Sequence, residues 1–183
     1  MKHRLLGTLG VIVLVMVAFG AIPAEAATAA GPYYATPSWD QTLPANTRFI
    51  VLTNMNSEAV LDRETGLVWE KSPTAPPTVP NTFNWEDGQI HCNRLTVGNR
   101  LGWRLPTVQE LASLVDPTQA NPALPTGHPF IVRSASYWSA TTYAGNASVA
   151  WFVAFDLGLV VGIDKSNVNY VWCVRGGQGV DPQ

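Results

Sequence analysis

The chain has 183 residues, of which 46% are hydrophobic and 13% charged, and this composition excludes a disordered or collagen-like protein. Its formal net charge of −2 argues against a nucleic-acid-binding protein. The length suits one domain with a leader segment, and 15 glycines with 14 prolines favour a loop-rich domain.

The N-terminus has the pattern of a signal peptide. Lys2 and Arg4 precede an apolar run over residues 5–22, and Ala24 and Ala26 form a small-residue cleavage site. We expect cleavage after Ala26 and export to the periplasm or the extracellular space. An uncleaved membrane anchor is the alternative, because the run is long for a signal peptide. Cleavage leaves 9 basic and 12 acidic residues, a formal net charge of −3, and we expect no membrane span after it.

Composition divides the chain into four parts. Residues 1–26 are the predicted signal peptide, and residues 27–47, rich in alanine, proline, threonine and serine, predict a linker or loose N-terminal arm. Residues 48–178 contain the strand and helix patterns and predict one domain. Residues 179–183 form a tail.

Strand patterns begin the domain. RFIVLT (48–53) is the first strand candidate, and AVLDRETGLVWEK (59–71) predicts a hairpin that turns between Asp62 and Gly66. The proline-rich stretch at 72–82 cannot pair as a strand and predicts a loop.

NWEDGQIHCNRL (84–95) predicts the first helix. Asn84 is a suitable N-cap, although Gly88 leaves an irregular loop as the alternative. The helical period places three side chains on one face: Trp85, Cys92 and Leu95.

WRLPTVQELASLVD (103–116) predicts the second helix. Thr107 and Glu110 form a capping box, in which each side chain accepts a hydrogen bond from a backbone N–H group. Pro106 fixes the approach to the helix, and Asp116 with the proline after it is expected to end it. The predicted buried stripe is Leu111, Leu114 and Val115.

The remaining patterns are strands. SYWSATT (136–142) predicts one strand, VAWFVAFDLGLVVGI (149–163) a hairpin turning at residues 156–158, and NYVWCVRGG (169–177) the last strand. The order of elements predicts an α+β fold with a mainly antiparallel twisted sheet, two short helices and long loops.

The two cysteines, Cys92 and Cys173, both lie in the predicted exported part of the chain. In an oxidising compartment one disulfide is the simplest arrangement. Two free buried thiols are the alternative. A metal site is a weaker interpretation, because neither His91 nor His128 stands at a ligand spacing from them.

Six blocks, in order, resemble the Lcl C-terminal domain family: VLDRETGLVWE, NWEDGQIHCNRL, WRLPTVQELASLVD, YWSATT, AWFVAFDLGLV and VWCVRGG. The family is named after the end domain of a bacterial collagen-like adhesin, and the resemblance covers residues 49–177. The WRLPT-x-x-E and V-x-RGG elements are more distantly similar to formylglycine-generating, sulfatase-modifying enzymes. Both resemblances imply a C-type-lectin-like fold with a disulfide between the first helix and the last strand, the positions of Cys92 and Cys173.

The resemblance also implies a structural role for a set of signature residues, with Arg104 able to pair with a carboxylate such as Glu110. The set is Trp69, Trp103, Arg104, Thr107, Glu110, Trp138, Trp151 and Arg175. Trp172 stands where relatives often have arginine, so it is either an exposed aromatic residue or part of the core.

The function implied by the resemblance is non-catalytic recognition, adhesin-like, of a glycan or protein at or outside the cell surface. The adhesin domain binds sulfated polysaccharides, whereas the net charge of −3 argues against a polyanionic ligand here. The ligand is expected on two loops near the C-terminus, 141–148 and 164–170. Their candidate ligand-binding residues are Tyr143, Asn146, Asp164, Lys165, Asn167, Asn169 and Tyr170. Tyrosine and asparagine suit recognition surfaces, but asparagine is also a common turn residue.

Two other functions are weighed. A structural or accessory protein of the cell envelope, docking into a larger assembly or forming a homo-oligomer, needs only a surface. A formylglycine-generating enzyme would need two reactive cysteines close together near the C-terminus, where only Cys173 lies. The Glu-Pro-Asn and Gln-Pro-Asp triplets of calcium lectins are absent from the sequence, and we expect no metal or cofactor.

Overall fold

A computed structural model describes residues 28–29, 42–73 and 81–177, and these contain eleven strands and three α-helices. The strands are β1 (Thr28–Ala29), β2 (Phe49–Leu52), β3 (Ala59–Asp62), β4 (Leu67–Glu70), β5 (Thr82–Phe83), β6 (Trp103–Arg104), β7 (Ser136–Thr142), β8 (Val149–Ala154), β9 (Leu159–Asp164), β10 (Asn169–Tyr170) and β11 (Val174–Arg175). The helices are α1 (Ala45–Arg48), α2 (Trp85–Arg94) and α3 (Val108–Ala112). The predicted signal peptide and C-terminal tail lie outside the described residues.

The strands form two sheets. The first has the order β1-β2-β3-β4-β11-β6, and the second has the order β5-β10-β7-β8-β9. Neighbours are antiparallel except for β1 with β2 and β10 with β7, which are parallel. The predicted α+β architecture, mainly antiparallel with short helices and long loops, is confirmed.

Two elements, β1 and α1, lie within or at the end of the predicted arm. The two residues of β1 pair with β2, and α1 is a single helical turn in which Ala45 and Arg48 are buried. The predicted strands and hairpins are confirmed at β2, at β3–β4, at β7 and at β8–β9. Gly158 closes the β8–β9 turn with a φ of 74°, a conformation that favours glycine.

The last predicted strand is wrong in extent. The sequence predicts one strand over 169–177, but β10 belongs to the second sheet and β11 to the first. The three residues between them, Val171 to Cys173, are fully buried. The chain therefore crosses from one sheet to the other through the core, and a single continuous ladder is not possible.

The predicted disulfide is present and joins α2 to this crossing segment. Cys92 and Cys173 have their Cα atoms 5.4 Å apart. Asn84 caps α2 by accepting a hydrogen bond from the backbone N–H of Asp87, at 2.9 Å. Gly88 lies inside the helix, and a Cβ atom there would be 2.8 Å from Cγ1 of Val171. The glycine thus allows the helix to approach the crossing segment closely.

The predicted capping box of α3 is also present. The Thr107 hydroxyl accepts the N–H of Glu110 at 3.2 Å, and the Glu110 carboxylate accepts the N–H of Thr107 at 2.8 Å. Arg104 donates to both carboxylate oxygens of Glu110 at 2.7 Å, as the sequence suggests, and to the Gly176 carbonyl. The helix ends at Ala112, four residues before the predicted end.

The early end of α3 has a local cause. The Ser113 hydroxyl donates to the Glu110 carbonyl at 2.6 Å, and the N–H of Asp116 bonds to Ala123 across a loop. Leu111 and Leu114 are fully buried, as the stripe predicts. Val115 is only partly buried at the edge of the core.

Trp172 is a core residue at the centre of an aromatic cluster. Its ring centroid lies 4.9 to 5.7 Å from those of four other rings. These are Trp69, Phe130, Tyr137 and Phe155. Its indole N–H donates to the Glu70 carbonyl at 2.9 Å. This hydrogen bond lets a polar ring atom be buried without penalty.

Most of the remaining signature residues also have structural contacts. Trp103 and Trp138 are buried, and Trp151 is partly buried. Nε of Arg175 donates to the Leu101 carbonyl at 2.8 Å. Among the helices that the structure describes, none is long and apolar enough to cross a membrane.

Candidate functional site

The two predicted ligand-binding loops lie side by side at one end of the second sheet. Residues 143–148 connect β7 to β8, and residues 165–168 follow β9. The register pairs Val149 with Asp164, and the Lys165 N–H donates to the Ser148 carbonyl at 2.8 Å. The antiparallel pairing of β8 and β9 thus brings together residues about 20 positions apart.

Tyr143 is the exposed aromatic residue of the first loop. Its side chain is 41% exposed, and its ring meets the Trp151 ring edge-on, with centroids 5.3 Å apart. A Cβ atom on Gly145 would be 2.8 Å from Cε1 of Tyr143. The tyrosine is therefore held between Trp151 and its own loop while keeping a surface open to solvent.

Three polar candidates stabilise the turns in which they lie. The Asn146 side chain accepts the N–H and hydroxyl of Ser148, both at 3.0 Å. The Asp164 carboxylate accepts the N–H and hydroxyl of Ser166, and these hydrogen bonds lower the pKa of the carboxyl. Asn167 donates to the Asp164 carbonyl at 3.0 Å. Each side chain has hydrogen-bonding capacity beyond these contacts.

Lys165 connects the second loop to α2. Its ammonium lies 3.8 Å from the centroid of the Trp85 ring and donates to the Thr142 hydroxyl at 2.9 Å. The Trp85 indole N–H donates to the Ser139 carbonyl at 2.8 Å. A shallow pocket of about 500 Å³ lies here, and its lining is Asn84, Trp85, Glu86, Gln89, Lys165 and Ser166.

The last two candidates lie away from this surface. Asn169 and Tyr170 form β10, between β5 and β7, and both are partly buried. The Tyr170 ring packs 5.6 Å from that of Tyr137 in the core. Nδ2 of Asn169 is buried and has no hydrogen-bond partner among the described residues. The structure therefore brings together five of the seven candidates.

A second pocket, of about 560 Å³, lies between α2 and the end of β4. Glu70 lines it with a side chain that is almost fully buried, and Oε2 accepts the Cys173 N–H at 2.8 Å. Burial raises the pKa of Glu70 to about 7, with the Cys173 hydrogen bond acting in the opposite direction. His91 also lines the pocket, and burial lowers its pKa. A carboxyl that is half protonated near neutral pH can both donate and accept hydrogen bonds.

No group of three or more histidine, cysteine, aspartate or glutamate side chains that could hold a metal ion occurs in the described part of the chain.

The sequence matches the Lcl C-terminal domain over residues 58–175. The chain belongs to the Lcl C-terminal domain family. A comparison with curated proteins finds no match.

The Lcl C-terminal domain match starts beside β3 and ends in β11, and so includes the disulfide, both predicted helices and both loops. Strands β1 and β2 of the first sheet, together with α1, lie before this match. The expected family membership is confirmed. The match also includes most of the residues that line the second pocket.

Sequence reasoning missed several residues of the shallow pocket in this Lcl C-terminal domain. The helical period places Trp85 on one face with Cys92 and Leu95, but it gives no sign that the Trp85 ring also contacts Lys165. Gln89 lies one helical turn after Trp85, and this spacing is the signal that could have identified it. No pattern in the sequence indicates Thr142 or Ser166, because their contacts form only where β7, the loop after β9 and α2 pack together.

Proposed function

We propose that this Lcl C-terminal domain is an exported, non-catalytic module that recognises a glycan or protein ligand at or outside the cell surface. The observation that carries the proposal is the meeting of the two loops around Tyr143 and Lys165. The first loop supplies the partly exposed ring of Tyr143, and the second loop supplies the ammonium of Lys165. Both lie close to the polar side chains of the shallow pocket.

The chemistry of this surface suits a neutral polar ligand. A tyrosine ring packs against the apolar face of a sugar or of a ligand side chain, and hydroxyl and amide groups fix its orientation. Lys165 is already engaged with Trp85 and Thr142, which lowers its availability to an anion. The acidic net charge of the chain supports the same preference.

The proposal is tested with a glycan array probed with the natural oxidised protein at physiological salt. Tyr143→Ala is expected to weaken binding at least about tenfold, because a central aromatic contact is typically worth 2 kcal/mol or more. Lys165→Gln should weaken it as well, because it removes the ammonium that holds the loop to α2.

Leu101→Ala is the control, since this side chain is also exposed but lies outside both loops. It should bind as the natural protein does. Binding that survives both loop substitutions would contradict the proposed site. Tyr170→Ala is unsuitable as a test, because its ring packs against the core and its loss would disturb folding.

A second function, docking into a larger envelope assembly, is favoured by one observation. Apolar side chains of the β8–β9 turn and of β9 itself are exposed, including Leu157 and Leu159. A group of exposed apolar side chains that is close in sequence is compatible with a protein interface. An array without signal, together with capture of an envelope protein by the natural chain, would support docking.

A further inference from the structure

Strand β9 is the outermost strand of the second sheet and has unusually apolar exposed side chains. It pairs with β8 on one side, and no described strand pairs with its other side. Leu159, Val160 and Val161 are 52%, 44% and 40% exposed. Such an edge presents unpaired backbone N–H and C=O groups, which can pair with another strand.

The usual protections of an edge strand are missing from β9. Its pairing with β8 is continuous from Leu159 to Asp164, without a bulge. No proline or charged residue occurs between Leu157 and Ile163. Natural edge strands typically carry one of these features to prevent association. The edge is therefore regular, uncharged from Leu159 to Ile163 and long enough to accept a strand.

The pairing with β8 identifies the backbone groups that face outward. The Lys165 N–H donates inward, to the Ser148 carbonyl. Backbone groups of alternate residues in an antiparallel strand point to opposite edges. Residues 159, 161 and 163 therefore bond to β8. Val160 and Gly162 direct their N–H and C=O groups outward, where no hydrogen bond to them is seen among the described residues.

We propose that two copies of this chain associate by antiparallel pairing of β9 with β9, about a two-fold axis at Val161. In this register Val160 of each copy lies opposite Gly162 of the other. Both of these pairs are hydrogen-bonded pairs, and they form four N–H···O=C bonds. The two Val161 side chains face each other across the axis.

We assign a second copy of the chain as the partner of β9, because the edge of β9 is complementary to itself in this register. Leu159 lies opposite Ile163, so that face of the ladder has only apolar cross-strand pairs, which stabilise antiparallel sheets. The nearest charged residues, Asp164 and Lys165, lie opposite residues 158 and 157, and neither meets a like charge. Pairing does not depend on the proposed ligand, since Tyr143 lies in the loop between β7 and β8.

Cysteine cross-linking tests the register directly. In the proposed dimer the two residues at position 161 form a pair that is not hydrogen-bonded, with Cα atoms about 4.5 Å apart, within the range of a disulfide. Val161→Cys in the natural chain should form a disulfide-linked dimer under mild oxidation, seen on a non-reducing gel. Val160→Cys is the matched control, because its two copies are diagonal neighbours about 7–8 Å apart and should not cross-link.

Sedimentation velocity then tests the association without a cross-link. The natural protein should sediment as a dimer at micromolar concentration. Val161→Lys should raise the dimer dissociation constant at least about tenfold, because it places two like charges directly opposite each other. Val168→Lys changes a valine that is also exposed but lies outside the strand, and this variant should remain dimeric.

Four results would overturn the proposal. They are a monomer or a trimer of the natural protein, equal cross-linking at positions 160 and 161, no cross-linking at position 161, and a Val161→Lys variant that stays dimeric. The positions tested are exposed, so the variants should fold, and circular dichroism of each confirms this. If β9 paired only with an added extended peptide from another protein, a second copy would also be rejected as its partner.

Discussion

Glu70 is a buried residue whose ionisation is expected to affect the stability of this fold. Its carboxyl is buried, and its pKa is raised from an ordinary value of 4.5 to about 7. The cause is burial, which disfavours the charged form, and the Cys173 hydrogen bond offsets only part of it. The folded chain consequently holds this proton more tightly than the unfolded chain does.

The stability of the protein should therefore decrease as Glu70 ionises. The contribution is complete below pH 4.5 and is lost as the pH rises through about 7. The difference between the two pKa values corresponds to about 3 kcal/mol of unfolding free energy. Glu70→Gln should remove this decrease, so the variant is more stable than the natural protein at pH 8 and similar to it at pH 4.5.

Urea unfolding at a series of pH values measures this effect. Glu86→Gln is the control, because it removes an exposed carboxylate from α2 and should retain the natural pH dependence. A Glu70→Gln variant that is less stable than the natural protein at pH 8 would contradict the role assigned to the buried charge.

A second buried charge, Arg48, illustrates a residue that periodicity does not identify. Its guanidinium donates to both oxygens of the Asp62 carboxylate at 2.8 and 2.9 Å, and to the Ser113 carbonyl at 2.9 Å. Arg48 and Asp62 are 14 positions apart, and Ser113 is a further 51 positions along the chain. The pair is satisfied only because α1, β3 and the end of α3 meet.

At the scale of elements, α3 depends on its N-terminal cap. The helix has five residues, too few for intrinsic propensity to maintain it. The capping box satisfies two backbone N–H groups, and Arg104 holds the same Glu110 carboxylate. The cap therefore satisfies free backbone N–H groups at the start of the helix. Through Arg104 it also joins the helix to β6.

Thr107→Ala should destabilise the protein by about 1 kcal/mol, the usual contribution of an N-cap side chain. The free energy of unfolding in urea measures the loss. Thr53→Ala is the control, because this exposed threonine begins a 3₁₀ turn without a side-chain capping bond and should change stability little. Equal losses in the two variants would show that the cap has no special role.

At the scale of the molecule, the disulfide joins two segments that are far apart in sequence. It links α2 to the crossing segment between β10 and β11, across 81 positions of sequence. Closing a loop of this length restricts the unfolded chain, and the entropy model assigns about 4 kcal/mol to it. The same crossing segment contains Trp172 and accepts α2 at Gly88. The disulfide thus reinforces the contact between the sheets.

The double variant Cys92→Ala with Cys173→Ala should lose about 2–5 kcal/mol of unfolding free energy. Urea denaturation of the oxidised natural protein and of the variant gives this difference. The reduced natural protein is the control, because it keeps both sulfur atoms but lacks the bond between them. It should be destabilised to an extent similar to that of the double variant. A loss below about 1 kcal/mol in both would contradict the loop-closure argument.

The sequence by itself determined the local elements of this protein. Alternating apolar residues located β7 and the hairpins, Asn84 and Thr107 located the starts of the helices, and the two cysteines indicated the disulfide. The six sequence blocks identified the Lcl C-terminal domain family. The sequence also located the two loops that contain asparagine and tyrosine, together with the turns within them. These signals depend on hydrogen bonds and periodicities within a few residues, so they can be read without knowing which segments meet.

Only the tertiary structure decided which segments cover one another. It divided residues 169–175 between two sheets and placed Trp172 in the core with Tyr170 packed against it. It also buried Glu70 beside Cys173. It also left the apolar strand β9 at an edge, although such a run would equally suit a strand buried between neighbours. Burial, pKa and exposure depend on contacts between residues far apart in sequence, and the pattern of a single segment contains no information about its partner.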